Sequence, residues 1–155
     1  MPYSPQQKRA LAAFAFAAGT MTAIAMASPP TNHTATGIVA AELGDAGHVN
    51  SDRIKFQTKN PTDTSITRLE FGAGGKSGWH HHPGIVLVQV ASGTVKVWDS
   101  SCAFKTYGAG SVFVEGNAVH EVTSDAGAVL YGTAIVEDRD PPVFRAEDPV
   151  PFCAQ

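Results

Sequence analysis

Charge is scarce in this chain, and none of it is gathered. Only 16% of the 155 residues are Asp, Glu, Lys or Arg, 11 basic against 14 acidic. Without a Lys/Arg cluster there is no electrostatic footprint for nucleic acid or for an anionic membrane. Helical signals are missing as well: no heptad or helical repeat runs through the sequence. Cysteine is limited to Cys102 and Cys153, and neither lies in a CxxC. These absences exclude a nucleic-acid binder, a coiled coil and a redox dithiol. What is left is one small globular domain, since 43% hydrophobic residues suffice for a single core and not for two. The expected partner is a small-molecule ligand, with a homodimer allowed.

The first 27 residues are expected to stand apart from that core. Lys8 and Arg9 precede a short apolar run, Ala10 to Ala18, and Ala25-Met26-Ala27 supplies a small-residue cleavage site ahead of Ser28-Pro29-Pro30. That order is the layout of a secretory signal peptide, cut after Ala27. The apolar run is short of the roughly twenty residues a transmembrane helix needs, so no stable membrane insertion is expected after cleavage. Losing Lys8 and Arg9 leaves nine basic residues against fourteen acidic, a net charge of −5 with histidines neutral. The mature protein is expected to be secreted or periplasmic.

The remainder reads as strands. Residues 28–53 form an arm whose Pro/Thr/Asn-rich beginning is expected to be disordered or extended. Ile54 to Phe56 is a short strand candidate. Ser65 to Phe71 alternates, with Leu69 and Phe71 on one face and Arg68 and Glu70 on the other. The apolar run Ile85 to Val90 is consistent with a strand buried on both faces. Thr94 to Trp98, Ser111 to Val114, Val119 to Thr123 and Val129 to Val136 follow, separated by glycine turns. Short strands at this spacing indicate an all-β sandwich or barrel over residues 54–136.

Chemistry concentrates in Gly74-Gly75-Lys76-Ser77-Gly78-Trp79-His80-His81-His82-Pro83-Gly84, with His120 some forty residues on. In an extended segment, side chains alternate, so His80 and His82 share one face and His81 takes the other. A third imidazole from a neighbouring strand would complete a tripod, and neutral imidazole is the commonest ligand of transition metals. His33 and His48 lie in polar surroundings and read as ordinary surface residues. Gly-Lys-Ser at residues 75–77 is no phosphate loop, because Glu70 stands where the loop's first glycine belongs.

The segment from Gly74 through His80-x-His82 to Gly93 resembles the first motif of the cupin superfamily. Gly108 through Gly116, followed by His120, resembles the second. The resemblance covers residues 60 to 136 and implies a single jelly-roll β-barrel whose interior holds one divalent metal, Fe, Mn, Zn or Ni, on His80, His82 and His120. It departs from the family pattern at Val86, where the first motif carries a glutamate. Val86 shares its parity with His82 and should face inward, so a tripod without a carboxylate is expected, favouring anionic ligands at its open positions. Trp79 and Val86 are candidate walls of a pocket. Glu115 and Glu121 are not placed inside the barrel by sequence, and no general base stands out. The implied activities are a dioxygenase or an isomerase or lyase; a non-catalytic barrel for a small ligand or metal is the alternative.

An exported protein meets an oxidising compartment, where an even cysteine pair is expected to close a disulfide. Joining Cys102 to Cys153 would pin a proline-rich tail, residues 137–155, that can be neither helix nor central strand. Since no ligand is a cysteine, the histidine tripod is expected to keep its metal under mild reduction.

Overall fold

Two strands are long enough to run through both halves of the molecule, and they set its architecture. In the computed structural model, which describes residues 27–154, β4 (Thr62–Lys76) and β6 (Gly84–Asp99) each change partners along their length. Over its first part β4 lies between β1 (Thr31–Leu43) and β10 (Ala128–Glu137), both antiparallel; at Gly75 and Lys76 it reaches β9 (His120–Ser124). The first part of β6 pairs with β10 and with β8 (Val112–Glu115), and its second part with β7 (Phe104–Gly108) and β9. The exchange falls near Gly93, whose φ of +77° suits glycine and whose missing Cβ would otherwise stand 2.2 Å from the Gly127 carbonyl oxygen. Strands that switch sheets in this way close a barrel of two layers, the jelly roll that the cupin resemblance implied.

The short β5 (His80–His81) links β9 to β11 (Ala146–Glu147), so the tail is hydrogen-bonded onto the barrel next to the histidine motif. Cys102 and Cys153 are disulfide-bonded, with Cα atoms 6.1 Å apart. Among the described residues no helix is long and apolar enough to cross a membrane. The leader and its cleavage site lie outside the described residues, apart from Ala27, which bridges to Pro149.

Alternation along the strands divides inside from outside. Val86, Val88 and Val90 of β6, Leu130, Ala134 and Val136 of β10, Phe71 of β4 and Phe113 of β8 make up most of the core. The β6 run is therefore not buried on both faces: Ile85 and Leu87 are 53% and 44% exposed. They belong to an outer row in which Val39, Ile66, Thr133, Leu87 and Val114 stand opposite one another across five strands. An apolar run is ambiguous because the outer face of a barrel strand tolerates β-branched residues as well as the inner one. The arm is extended and ordered into β1, which follows β4 over most of its length. Ile54–Gln57 forms a strand too, but in a separate hairpin with His48–Ser51, away from the barrel sheet.

Candidate metal centre

The histidine motif enters the barrel through β5. His80 stands directly opposite His120 of β9, and His82 follows just beyond the strand, its N–H donating to the Gly116 carbonyl at 2.9 Å. Alternation then does what the sequence required of it. The rings of His80, His82 and His120 come within 4.3–5.2 Å of one another, centroid to centroid. His81 turns away, and its Nδ1 donates to the Asp148 carboxylate at 2.6 Å.

A fourth group joins the three. Glu115, the last residue of β8, points inward with its carboxylate 3.3 Å from Nε2 of both His82 and His120. One ligand atom from each of His80, His82, Glu115 and His120 lies within 4.8 Å of the others. The expectation of a tripod without a carboxylate is corrected by the pairing of β6 with β8: Val86 and Glu115 are register partners. Residues paired in this way share a face with Cβ atoms about 4.5–5.5 Å apart. The carboxylate missing at Val86 is thus delivered from the neighbouring strand. Sequence alone could not show it, because Val112-Phe113-Val114-Glu115 alternates equally well with either parity inward.

The hydrogen bonds of the three rings fix their chemistry. Nδ1 of His80 lies 2.8 Å from the Gly78 carbonyl, Nδ1 of His82 lies 2.6 Å from that of Phe144, and Nδ1 of His120 lies 2.8 Å from that of Ala118. A carbonyl oxygen only accepts, so each Nδ1 carries the proton and each neutral ring keeps its lone pair on Nε2. Those Nε2 atoms and the Glu115 oxygens face one another, and Nε2 of His82 and His120 and Oε1 of Glu115 are buried without a hydrogen-bond partner. Lone pairs converging on a buried carboxylate repel unless a proton or a metal ion lies among them. The donor set of three imidazole nitrogens and one carboxylate fits a divalent transition metal.

Protonation follows from the same geometry. Burial, with help from His120 and Arg145, holds the His80 pKa down to about 3, so that ring is neutral. Burial opposes charge on His120 as well, but the Glu115 carboxylate beside it outweighs burial and raises its pKa above 6.5. Glu115 pays for burial too, yet its contacts to His120 and His82 bring it down to about 2. Without a cation, a proton on His120 therefore offsets the Glu115 charge and is held to higher pH than on a free imidazole. A metal has to displace that proton, so affinity is expected to rise with pH from 6.5 upward, by up to about tenfold per unit, until the raised pKa is passed. Titration calorimetry near pH 7 in buffers of different ionisation enthalpy should find up to one proton released per ion; no release would contradict the assignment.

His80, His82 and Glu115 open onto a cavity of about 220 Å³. Val86 lines it, as the parity argument required. Trp79 does not: it faces an outer cleft shared with Trp98 and Glu121, on the other side of β5 and β9. His33 is not a surface residue; it lines the cavity from β1, its ring 4.4 Å from that of Phe71, while His48 stays exposed in the small hairpin. Asn32 makes this placement. It takes a φ of +46° at an irregularity in the β1–β4 register and donates from Nδ2 to the Ala73 carbonyl at 2.9 Å. Irregularities of this kind re-aim the next side chain.

No protein-family model and no curated protein sequence matches the chain. Solved structures do match in shape. The polyketide cyclase RemF from Streptomyces resistomycificus superposes with a TM-score of 0.54 at 15% identity, over 83% of each chain. An uncharacterised conserved protein with a double-stranded β-helix domain, from Klebsiella pneumoniae, gives 0.52 at 13% identity, over 77% of this chain and 84% of its own. The chain has the cupin fold. At these identities the likeness extends to the barrel and no further, so the chemistry of this chain rests on its own residues. They place three imidazoles and a carboxylate at the inner end of a mainly apolar chamber, in a protein whose disulfide is consistent with a non-cytosolic location.

Proposed function

We propose that this protein is an exported metal-dependent enzyme that binds one divalent transition ion through His80, His82, His120 and Glu115. It acts on a small molecule held in the barrel, as a dioxygenase or as an isomerase or lyase. The observation that carries this reading is the set of three Nδ1-to-carbonyl bonds. They turn Nε2 of all three rings toward one buried carboxylate, and Nε2 of His82 and His120 and Oε1 of Glu115 are buried there without a hydrogen-bond partner. A bound metal would supply Lewis-acid polarisation of a substrate oxygen, or with Fe the means to handle O₂. The chain itself orients the ligands, excludes bulk water with aliphatic walls and confines the substrate beside the site.

A non-catalytic barrel for a small ligand or metal is the second reading, and one observation favours it. Among the described residues, the only titratable side chains lining the cavity besides His80, His82 and Glu115 are His33 and Arg145. An arginine is not a general base at neutral pH, and Nε2 of His33 is buried.

Elemental analysis of protein from its native compartment should find about one ion per chain. His82→Ala and His120→Ala should each lose it, whereas His81→Ala, whose ring faces Asp148, should retain most of it. Unchanged occupancy in the first two variants would remove the site. O₂-uptake and isomerisation assays on the loaded protein then separate enzyme from binder.

A further inference from the structure

The cavity has one wall that the barrel does not build. Phe144 and Arg145 come from the tail and complete its lining. The rest is mostly aliphatic and aromatic: Leu69, Phe71, Val88, Val122 and Leu130 surround the space below the histidines. Arg145 is held by its neighbours. Its Nε and Nη2 donate to the two oxygens of Glu147 at 2.6 and 2.9 Å, and Nη2 also donates to the Ser77 carbonyl at 2.6 Å. Nη1 has no partner among the described residues. The guanidinium is thus fixed in orientation with two N–H groups to spare.

Charge in this chamber is one-sided once a metal is bound. The charging of His33 is opposed, by burial first and by the positive charge of Arg145 in addition. Glu115 offsets one of the two charges of a divalent ion. Glu147 pairs with Arg145 but is partly exposed, its side chain at 45% against 26% for the arginine, so water screens it more. An excess of positive charge remains, facing apolar walls.

We propose that the cavity takes a small organic carboxylate with an apolar body, its charged group lying between the metal centre and Arg145 and its body against the aliphatic wall. The proposal rests on the metal-centred reading above and names the ligand class of that same site. A carboxylate suits a guanidinium better than any neutral group, because charge-assisted hydrogen bonds are roughly twice as strong as neutral ones. Size agrees: a cavity of roughly 150 Å³ admits a benzene ring, so one ring or a short chain fits here and a polymer does not.

The test compares pairs of probes equal in shape and unequal in charge, benzoate with benzamide and butyrate with butyramide, by titration calorimetry on metal-loaded protein. Metal content is measured on each sample. At least one acid should bind the wild type tenfold or more tightly than its amide. Arg145→Gln should remove that preference with metal content and amide binding retained, and Arg145→Lys should keep part of it. Glu147→Gln, which leaves Arg145 in place and removes its competing partner, should hold or raise the preference. Equal binding of acid and amide to the wild type, an undiminished preference in Arg145→Gln, or failure of every probe to bind metal-loaded protein would overturn the proposal while leaving the metal site standing. Absence of metal after reconstitution would instead overturn the reading on which it rests.

Discussion

Replacing Glu115 with valine is expected to lower metal affinity by about a hundredfold or more, and adding Val86→Glu to that variant is expected to restore most of it. The register makes the two positions equivalent: each faces its partner across β6 and β8, on the inner surface, beside His82. Glu115 is a direct contact of two histidines, and changes one shell further out already cost about ten- to hundredfold at metal sites. Val86→Glu alone should behave differently from the exchange. It sets two carboxylates side by side in the core, where both cannot ionise without a cation between them, so the metal-free form should melt earlier than the wild type. Calorimetric metal titration of the single and double variants decides the matter. A folded double variant binding no better than Glu115→Val would show that position 86 does not reach the site.

The second large effect is expected from the tail. A chain ending at Val143 should still close the barrel, yet bind metal about ten- to hundredfold more weakly. It loses the Phe144 carbonyl that orients His82, the Asp148 partner of His81 and the disulfide. The loss of a cross-link spanning 51 residues should lower stability by about 4 kcal/mol in the chain-entropy model. Cys102→Ser with Cys153→Ser should share the fall in stability and keep most of the metal. The tail has anchors of its own near the site, from the Asp148 N–H to the Trp79 carbonyl at 2.9 Å and from Arg145 to the Ser77 carbonyl. Full-affinity metal binding by the truncated chain would separate tail from site.

Period-2 alternation and two glycine-punctuated motifs were enough to read the barrel, the convergence of three histidines and the outward turn of His81. Those features depend on local spacing, which a sequence states directly. Glu115 and His33 were out of reach for a different reason. The inward face of Glu115 depends on which strand β8 pairs with and in what register, and that of His33 on an irregularity in the β1–β4 register at Asn32. Pairing between distant segments has no local signature. The tail was legible only in part, for the same reason: its prolines announce irregular backbone, but not that one of its carbonyls would meet a histidine 62 residues earlier.

That meeting separates two properties usually measured together. The barrel's long strands are paired without any help from Phe144 to Asp148, whereas the chamber and the orientation of one of its histidines depend on them. Substitutions in this stretch can therefore leave the main sheet intact and still disable the interior. A spectrum or a melting curve that reports only the sheet would score such a variant as healthy. The stretch is correspondingly the part of the chain where ligand preference can change most freely, since five residues can be altered there without disturbing a single pairing of the long strands.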